Sequence, residues 1–488
     1  MRTQVLFWLA LLFLLAAALN GVSGPWELGW RGLMGGQWAE GAVVYYLKYG
    51  LDVTGLYPTI VIENGDELKR IVNWHHPATY WLYLAAPASV FGNSPMVLRL
   101  AHLLIWIPSL YALRQLVIVR VGAAWANVTA LLFATTPIVA YYGPMVVQTG
   151  AIYSLGLVSL WRFDCWMRHP GARNASLALV CFFVTCMTDY TACWWGAAVA
   201  VLALGLRSPR RYLVHVGCMA IAGFSAVTLI VFYYGLEFGG PVAYLRMLAG
   251  LGNEHGGAIE WPRALLALRK FLLGHGTLPV LALAVVGVVA LVWSRRAGLG
   301  KVILLAVSVA APGVLDCVML PRHALGHVFW PMQTLSAVAL LAAAVAVPAA
   351  QNTLAGRRLW RLGAVAVAAT ACWGVVWTHH LVWRYTAPPE PQRHVLQQVA
   401  PLLDGCTWTF SNLPKTTQLF FNGSWVVTEI ASPEKLYVVR QVARAQGVTG
   451  ELAFVLDRTS ASDRLIAAVE QLGPATVEGV VEVYRFRP

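Results

Sequence analysis

Runs of about 20 apolar residues, nearly free of charge and ended by Gly, Pro or Arg, recur along most of this sequence. At 1.5 Å per helical residue, each is long enough to cross a hydrocarbon core of roughly 30 Å. They fall at about residues 4–23, 95–118, 123–140, 145–166, 175–189, 190–206, 213–235, 277–294, 302–320, 330–349 and 362–383. The chain is therefore read as an α-helical polytopic membrane protein with about eleven transmembrane helices, integral to a plasma or inner membrane. Composition agrees, since 12% of the 488 residues are charged, half of the roughly 25% usual for a soluble globular protein.

Orientation follows from the connections. Every second one is basic: Arg114 with Arg120, Arg162 with Arg168 and Arg173, Arg207 with Arg210 and Arg211, Arg295 with Arg296 and Lys301, and Arg357 with Arg358 and Arg361. Asp164 interrupts the pattern. Acidic residues gather on the other side, at Glu27, Glu40, Glu63, Asp66, Glu67, Glu237, Glu254 and Glu260. Short loops rich in Arg and Lys stay in the cytoplasm, so the N-terminus reads as cytoplasmic and the end of the chain, after an odd number of spans, as extracytoplasmic. If the first span were a cleaved signal peptide, the next loop would still lie outside. The net charge of +13 is largely this cytoplasmic collar. A nucleic-acid partner would need one contiguous basic face on a folded domain, and none is visible. The eight cysteines show no paired spacing and, apart from Cys406, fall in or beside apolar spans. They read as small packing residues, not as a disulfide framework.

Two divisions are expected: a membrane domain over 1–384, with long external loops at 24–94 and 236–276, and a small α/β domain over 385–488. The first loop carries the segment ATYWLYLAAPASVFG, too short and aromatic for a comfortable span and suited to the membrane interface. The second holds the amphipathic segment RALLALRKFLLGHG, in which Arg263, Arg269 and Lys270 would meet lipid phosphates. After the Pro-rich stretch APPEPQ, the strand patterns TWTFS, ELAFVLD and VVEVYRF alternate with helical patterns in PEKLYVVRQVARAQG and DRLIAAVEQLG. No phosphate-binding glycine loop, nucleophile elbow or zinc spacing occurs there, and its plainer role is a structural cap.

Two strings carry a resemblance. HHPATYWLYLAAPASVFGNSPMVLRL, from His75 to Leu100, and PRHALGHVFWP, from Pro321 to Pro331, are similar to motifs of C-type (GT-C) glycosyltransferases. The group resembled is that of the protein mannosyltransferases and aminoarabinose transferases. The resemblance implies a GT-C-like fold and a polyprenyl-phosphate-linked sugar as donor. It implies transfer to a hydroxyl acceptor on the extracytoplasmic side, with inversion at the anomeric carbon. Members usually carry an acid early in the first external loop, which would fall here near Gly35 or Gly36. Glu40 and Glu27 are the carboxylates near enough to substitute as general base. The leaving phosphate needs cationic donors. The resemblance places His76 there, with His75, Arg322, His323, His327 and Arg99 as further candidates.

Each residue also has a plainer reading. Glu40 shares a narrow polar stripe with Gln37, Gly41 and Lys48 and would then simply face water. Glu27 would be an interfacial anion. His75 or His76 would hydrogen-bond across the loop, and Arg99 would snorkel to headgroups. Asp189, near a span end, is a functional candidate because buried acids in membranes are costly; otherwise it sits in an external turn. His323 and His327, at i and i+4, would suit a divalent metal, but a third ligand is not evident. No cofactor is read from the sequence. Membrane lipid is an expected partner, and neither donor sugar nor acceptor can be read. The competing classes are a transporter or flippase, which predicts internal repeats that are not seen, and a non-catalytic membrane scaffold.

Overall fold

The computed structural model describes residues 4–20, 38–55, 57, 59–64, 67–72, 76–206, 208–255, 260–274, 277–293, 299–326, 330–346, 354–386, 399, 402, 406, 408–412, 426–430, 432–445, 450–458, 461–477 and 481–487. The chain divides into two compact units. One comprises Met1–Val22, Trp74–Tyr80 and Arg99–Val382; the other comprises Ser23–Asn73, Trp81–Leu98 and Trp383–Pro488.

The first unit is helical, as lipid demands of any segment that must satisfy its backbone polar groups internally. Among the described residues, four helices are long and apolar enough to cross a membrane: Pro95–Arg120, Pro209–Glu237, Leu299–Met319 and Trp360–Leu381, the last within Leu354–Thr386. A fifth is added if Trp261–Leu273 and Leu278–Trp293, bent by 103°, are taken as one span. Shorter apolar helices lie at Gln4–Leu19 (α1), Ala123–Thr135, Ala172–Thr188, Tyr190–Ala203 and Pro331–Val345, and Gln148–Arg168 forms a further buried helix. A helix or helix pair thus stands at each apolar run. The run at 123–140 is broken at Thr136, whose ψ of 122° is the extended setting forced on a residue before proline, here Pro137.

Helices in this unit approach closely where side chains are small. A Cβ added at Gly287 would collide with the Leu341 carbonyl, and one at Gly374 with the Thr135 carbonyl, the small-residue packing used where no hydrophobic drive joins helices. Polar bridges add register. The Trp125 indole donates to the Leu340 carbonyl at 2.8 Å, and Tyr153 and Ser336 hydroxyls meet at 2.5 Å. Asp164, the acid that interrupts the basic pattern, is fully buried. Arg120 grips one of its oxygens and Arg168 donates to the other at 2.5 Å. Removing both arginines would leave an uncompensated buried charge.

In the second unit, helix α2 (Trp38–Thr54) kinks at Gly50, where φ is 73° and ψ is 173°. An antiparallel hairpin follows, β1 (Thr59–Asn64) and β2 (Glu67–Val72), whose register pairs Asn64 with Glu67. The sequence reading assigned no strands to this stretch. Toward the C-terminus a five-stranded mixed sheet has the order β4-β3-β5-β7-β6. Its strands are β3 (Trp408–Ser411), β4 (Val426–Glu429), β5 (Leu452–Asp457), β6 (Ala475–Val477) and β7 (Val481–Phe486). Helices Pro433–Ala445 and Asp463–Glu470 accompany it. Phe410, Ile430, Leu436, Phe454, Leu465 and Phe486 belong to its core. Ser462 caps the second helix by accepting from the Leu465 amide, the usual service of serine at a helix start. The linker Ala387–Gln392 lies outside the described residues.

Candidate active site

His76 opens the segment that leads into helix Thr79–Phe91. Pro77 keeps the residue before it out of the helical region, so His76 stands just ahead of the helix. The segment is pinned at both ends. Tyr234 donates its hydroxyl to the His76 carbonyl at 2.8 Å. Four residues on, Tyr80 and His102 Nδ1 lie 2.7 Å apart, and His102 Nε2 lies 3.0 Å from the Gly143 carbonyl. The carbonyl can only accept, so His102 carries its proton on Nε2 and receives the Tyr80 hydroxyl on Nδ1.

The His76 imidazole reaches Asp189, with Nδ1 2.8 Å from Oδ2. The Asp189 side chain is 3% exposed and that of His76 29%, so the pair runs from the protein interior toward an accessible ring. Asp189 follows helix Ala172–Thr188 and caps the short 3₁₀ turn Tyr190–Trp194. Its other oxygen accepts from the Thr191 amide at 2.9 Å and the Thr191 hydroxyl at 2.8 Å. Both carboxylate oxygens are thus satisfied, as a buried acid requires. With Nδ1–H committed to Asp189, Nε2 is the nitrogen left for a ligand, and a protonated ring would offer it an N–H.

Around this pair lies a group of tyrosines. Tyr234 and Tyr244 stack with centroids 5.2 Å apart, and the Tyr244 hydroxyl meets that of Tyr190. Helix Pro209–Glu237, helix Pro241–His255 and the Asp189 turn are thereby tied together. Asp316, on helix Leu299–Met319, is 2% exposed, its Oδ1 has no hydrogen-bond partner among the described residues, and it lies within electrostatic reach of Asp189. Sequence reading passed over Asp316. The signal was an acid inside an apolar run, which marks functional sites in membranes by default.

The remaining candidates are placed as follows. Arg322 is exposed, in the short helix Pro321–Gly326, and its guanidinium lies 3.2 Å from Glu260 Oε1. Arg263, expected to meet lipid phosphates, pairs with the same Glu260 oxygen at 2.7 Å. Arg99 is buried at 6% exposure within helix Pro95–Arg120, so the snorkelling reading does not describe it. Asp189 does lie at a turn, but buried. The backbone of His323 is helical, and that of Glu40 lies in α2; their side chains, and all of Glu27, His75 and His327, lie outside the described residues. No group of three His, Cys, Asp or Glu residues suited to a metal occurs among the described residues.

Sequence comparison finds no matching family model and no matching curated protein. Structure comparison does find likenesses. The chain is similar to ArnT from Cupriavidus metallidurans in a crystal structure bound to undecaprenyl phosphate. The TM-score is 0.63 at 14% identity, covering 98% of this chain and 97% of that one. The apo crystal structure of the same protein gives 0.64 at 14%, covering 99% and 98%. The oligosaccharyltransferase AglB from Archaeoglobus fulgidus, in complex with an inhibitory peptide and a dolichol-phosphate, gives 0.56 at 11%, covering 97% and 73%. ArnT, an aminoarabinose transferase, and AglB are both GT-C glycosyltransferases. Over nearly its whole length, this chain has a GT-C-like fold.

Proposed function

We propose that this protein is a membrane glycosyltransferase that moves a sugar from a polyprenyl-phosphate carrier to a hydroxyl acceptor at the extracytoplasmic face. The observation that carries the proposal is the His76–Asp189 pair, set in a fold shared over nearly the full chain with structures bound to lipid phosphates. The N-terminus is cytoplasmic in this reading, the membrane domain spans 1–384, and residues 385–488 form an extracytoplasmic α/β domain. The carrier's tail stays in the bilayer, so its phosphate meets the protein at the membrane surface.

In the reaction the acceptor oxygen attacks the anomeric carbon, the bond from that carbon to the phosphate oxygen breaks, and the acceptor's proton passes to a carboxylate. General base catalysis of this kind contributes roughly 10²–10⁴ in rate. Glu40 fills the role, with Glu27 as the alternative. His76 receives the phosphate through Nε2–H while Asp189 holds Nδ1–H. Arg322 adds a guanidinium fork suited to phosphate, with His323, His75 and His327 on the same two strings of sequence and Arg99 as a supporting charge. Cationic side chains stabilise the leaving charge in this scheme.

Titration with a short-chain polyprenyl phosphate tests the pocket. His76→Ala and Arg322→Ala should each weaken binding by about 1.5–3 kcal/mol, the scale of a charged hydrogen bond, and Arg322→Lys should restore part of the loss. Unchanged affinity in both alanine variants would remove the pocket. The scaffold reading predicts that outcome, whereas a flippase would bind the carrier without releasing polyprenyl phosphate from its sugar.

A further inference from the structure

Beside the Asp189 turn the helices bury a layer of polar side chains whose hydrogen-bonding atoms are not met. Tyr153, in helix Gln148–Arg168, and Ser336, in helix Thr334–Ala342, bring their hydroxyls to 2.5 Å. One turn before each, on the same faces of these segments, stand Thr149 and Gln333. The segments stay together there, because helix Gln148–Arg168 also packs against the 3₁₀ turn Trp330–Gln333. Helix Leu299–Met319 lies against that turn too. A Cβ at its Gly313 would stand 2.8 Å from the Pro331 carbonyl and 3.1 Å from the Thr334 amide, and Asp316 follows one turn later on that face. The turn Tyr190–Trp194, capped by Asp189, packs against both Leu299–Met319 and Gln148–Arg168. Gln148, Thr149, Asp316 and Gln333 are each 4% exposed or less. Among the described residues, Gln148 Oε1, Gln333 Oε1 and Asp316 Oδ1 accept no hydrogen bond, and the Thr149 hydroxyl has no partner.

Buried polar groups are costly when unmet, and native proteins leave few of them so. Three unmet acceptors call for O–H or N–H donors. A phosphate, negatively charged and rich in acceptors, does not supply them. A sugar ring offers several hydroxyls at once, and in a glycosylated carrier it hangs directly on the phosphate assigned above to His76. We infer that Gln148, Thr149, Asp316 and Gln333 form a buried subsite that takes the hydroxyls of the carrier-linked sugar and turns away acidic sugars. The inference rests on the transfer function proposed above and names the class of sugar, hydroxylated and without a carboxylate. Asp316, unmet at Oδ1 and within electrostatic reach of Asp189, disfavours a further negative charge beside it. A site built to hydrogen-bond a hydroxyl also rejects a ligand that lacks it, because its own buried groups then stay unpaired.

The test titrates the full-length protein, with no acceptor present, with short-chain polyprenyl phosphate that is bare or carries a neutral hexose, a neutral pentose or a hexuronic acid. The parent should bind at least one neutral glycosylated carrier about tenfold more tightly than the bare one, the scale of a few net hydrogen bonds, and the hexuronate carrier no more tightly than the bare one. Gln333→Met and Thr149→Val nearly keep size and remove polar atoms. Each should cut the ratio of glycosylated to bare affinity about threefold or more, and Asp316→Leu should also narrow the gap between neutral and acidic sugars. The ligand-free variants give a second readout. Removing an unmet buried group should raise the thermal midpoint, whereas removing one that a structural water satisfies should lower it. An unchanged ratio in all three variants overturns the inference, and lowered midpoints beside it assign the layer to structural water. Loss of the sugar's advantage on adding EDTA assigns the oxygens to a divalent cation and also overturns it. A parent that binds bare carrier but no glycosylated carrier more tightly overturns the subsite and leaves the proposed function standing. Binding of no carrier at all defeats the function and the subsite with it.

Discussion

A carboxylate withdrawn from water costs several kcal/mol unless its lone pairs are met. Asp189 meets them with Thr191 on one oxygen and His76 on the other, so the local turn is held whether or not His76 is present. The two contributions can therefore be separated. Asp189→Asn should weaken polyprenyl-phosphate binding about tenfold or more, on the scale of a charged hydrogen bond. In a His76→Ala background the same change should cost little further, since residues of one network are not additive. Fully additive losses would show that Asp189 acts elsewhere. Glu40→Gln keeps size and hydrogen bonding but removes the basic form. It should lower turnover at least about a hundredfold with carrier binding intact; near-normal turnover, with Glu27→Gln slow, would move the role to Glu27. His76 was legible because Pro77 and the aromatic run follow it, and Asp189 because it is an acid at a span end. Their pairing was not, since 113 residues separate them.

At the scale of elements, local signals and tertiary ones part company. The hairpin β1–β2 had a signal that went unused: β-branched residues in TIVIEN and ELKRIV stand on either side of Gly65 and Asp66, a pair of residue types favoured between hairpin strands. TWTFS announces itself by apolar alternation, ELAFVLD by a continuous apolar run and VVEVYRF by its β-branched and aromatic residues. Short β4 and β6 do not, because they are defined by pairing with β3 and β7. Gly50 sits in a region open essentially to glycine alone, where another residue costs about 1–3 kcal/mol. Gly50→Ala should therefore lower the thermal midpoint of the protein, and an unchanged midpoint would mean α2 straightens at no cost. In the C-terminal sheet, Glu482 accepts from Arg458 and Tyr484 at 2.7 and 2.6 Å. Burial would raise its carboxyl, but these hydrogen bonds outweigh burial and hold it below the usual carboxylate range. Its contribution to stability is present above the unfolded carboxylate value and is lost as pH falls through the depressed one. Burial, then the bond to Glu482, pushes the Tyr484 phenol from 10.0 up to about 12. That contribution is full below pH 10.0 and fades as pH rises toward about 12. Urea melts followed by a reporter at exposed Tyr437 should show the sheet weakening at both extremes; a flat profile would contradict the network.

Taken whole, the chain advertises its solvent before its fold. A helix or helix pair stands at each apolar run, because lipid leaves the backbone no other way to satisfy itself, but among the described residues four helices, or five with the bent pair, are long and apolar enough to cross. Where runs are short, length alone does not decide which of them cross, and breaks such as Thr136–Pro137 appear within them. The alternating basic connections predict the orientation. Cysteines introduced near Asn64 and near Ser424 should react with an impermeant reagent in sealed cells, and one at Gly298 should not. Reaction at Gly298 would invert the topology and move the site to the cytoplasm. What the sequence could not disclose is the choice of donor sugar and acceptor, which a few apolar contacts and hydrogen bonds decide.

The central claim is that this fold performs transfer from a lipid-phosphate sugar, and the measurement that bears on it most directly is carrier release. Purified protein in liposomes would be given a panel of radiolabelled polyprenyl-phosphate sugars with membrane extract as acceptor. Free polyprenyl phosphate would be quantified against the His76→Ala variant. The account predicts release from at least one donor, coupled one-to-one with label entering an acceptor and strongly reduced in the variant. Intact donors throughout, or release equal in parent and variant, would contradict it.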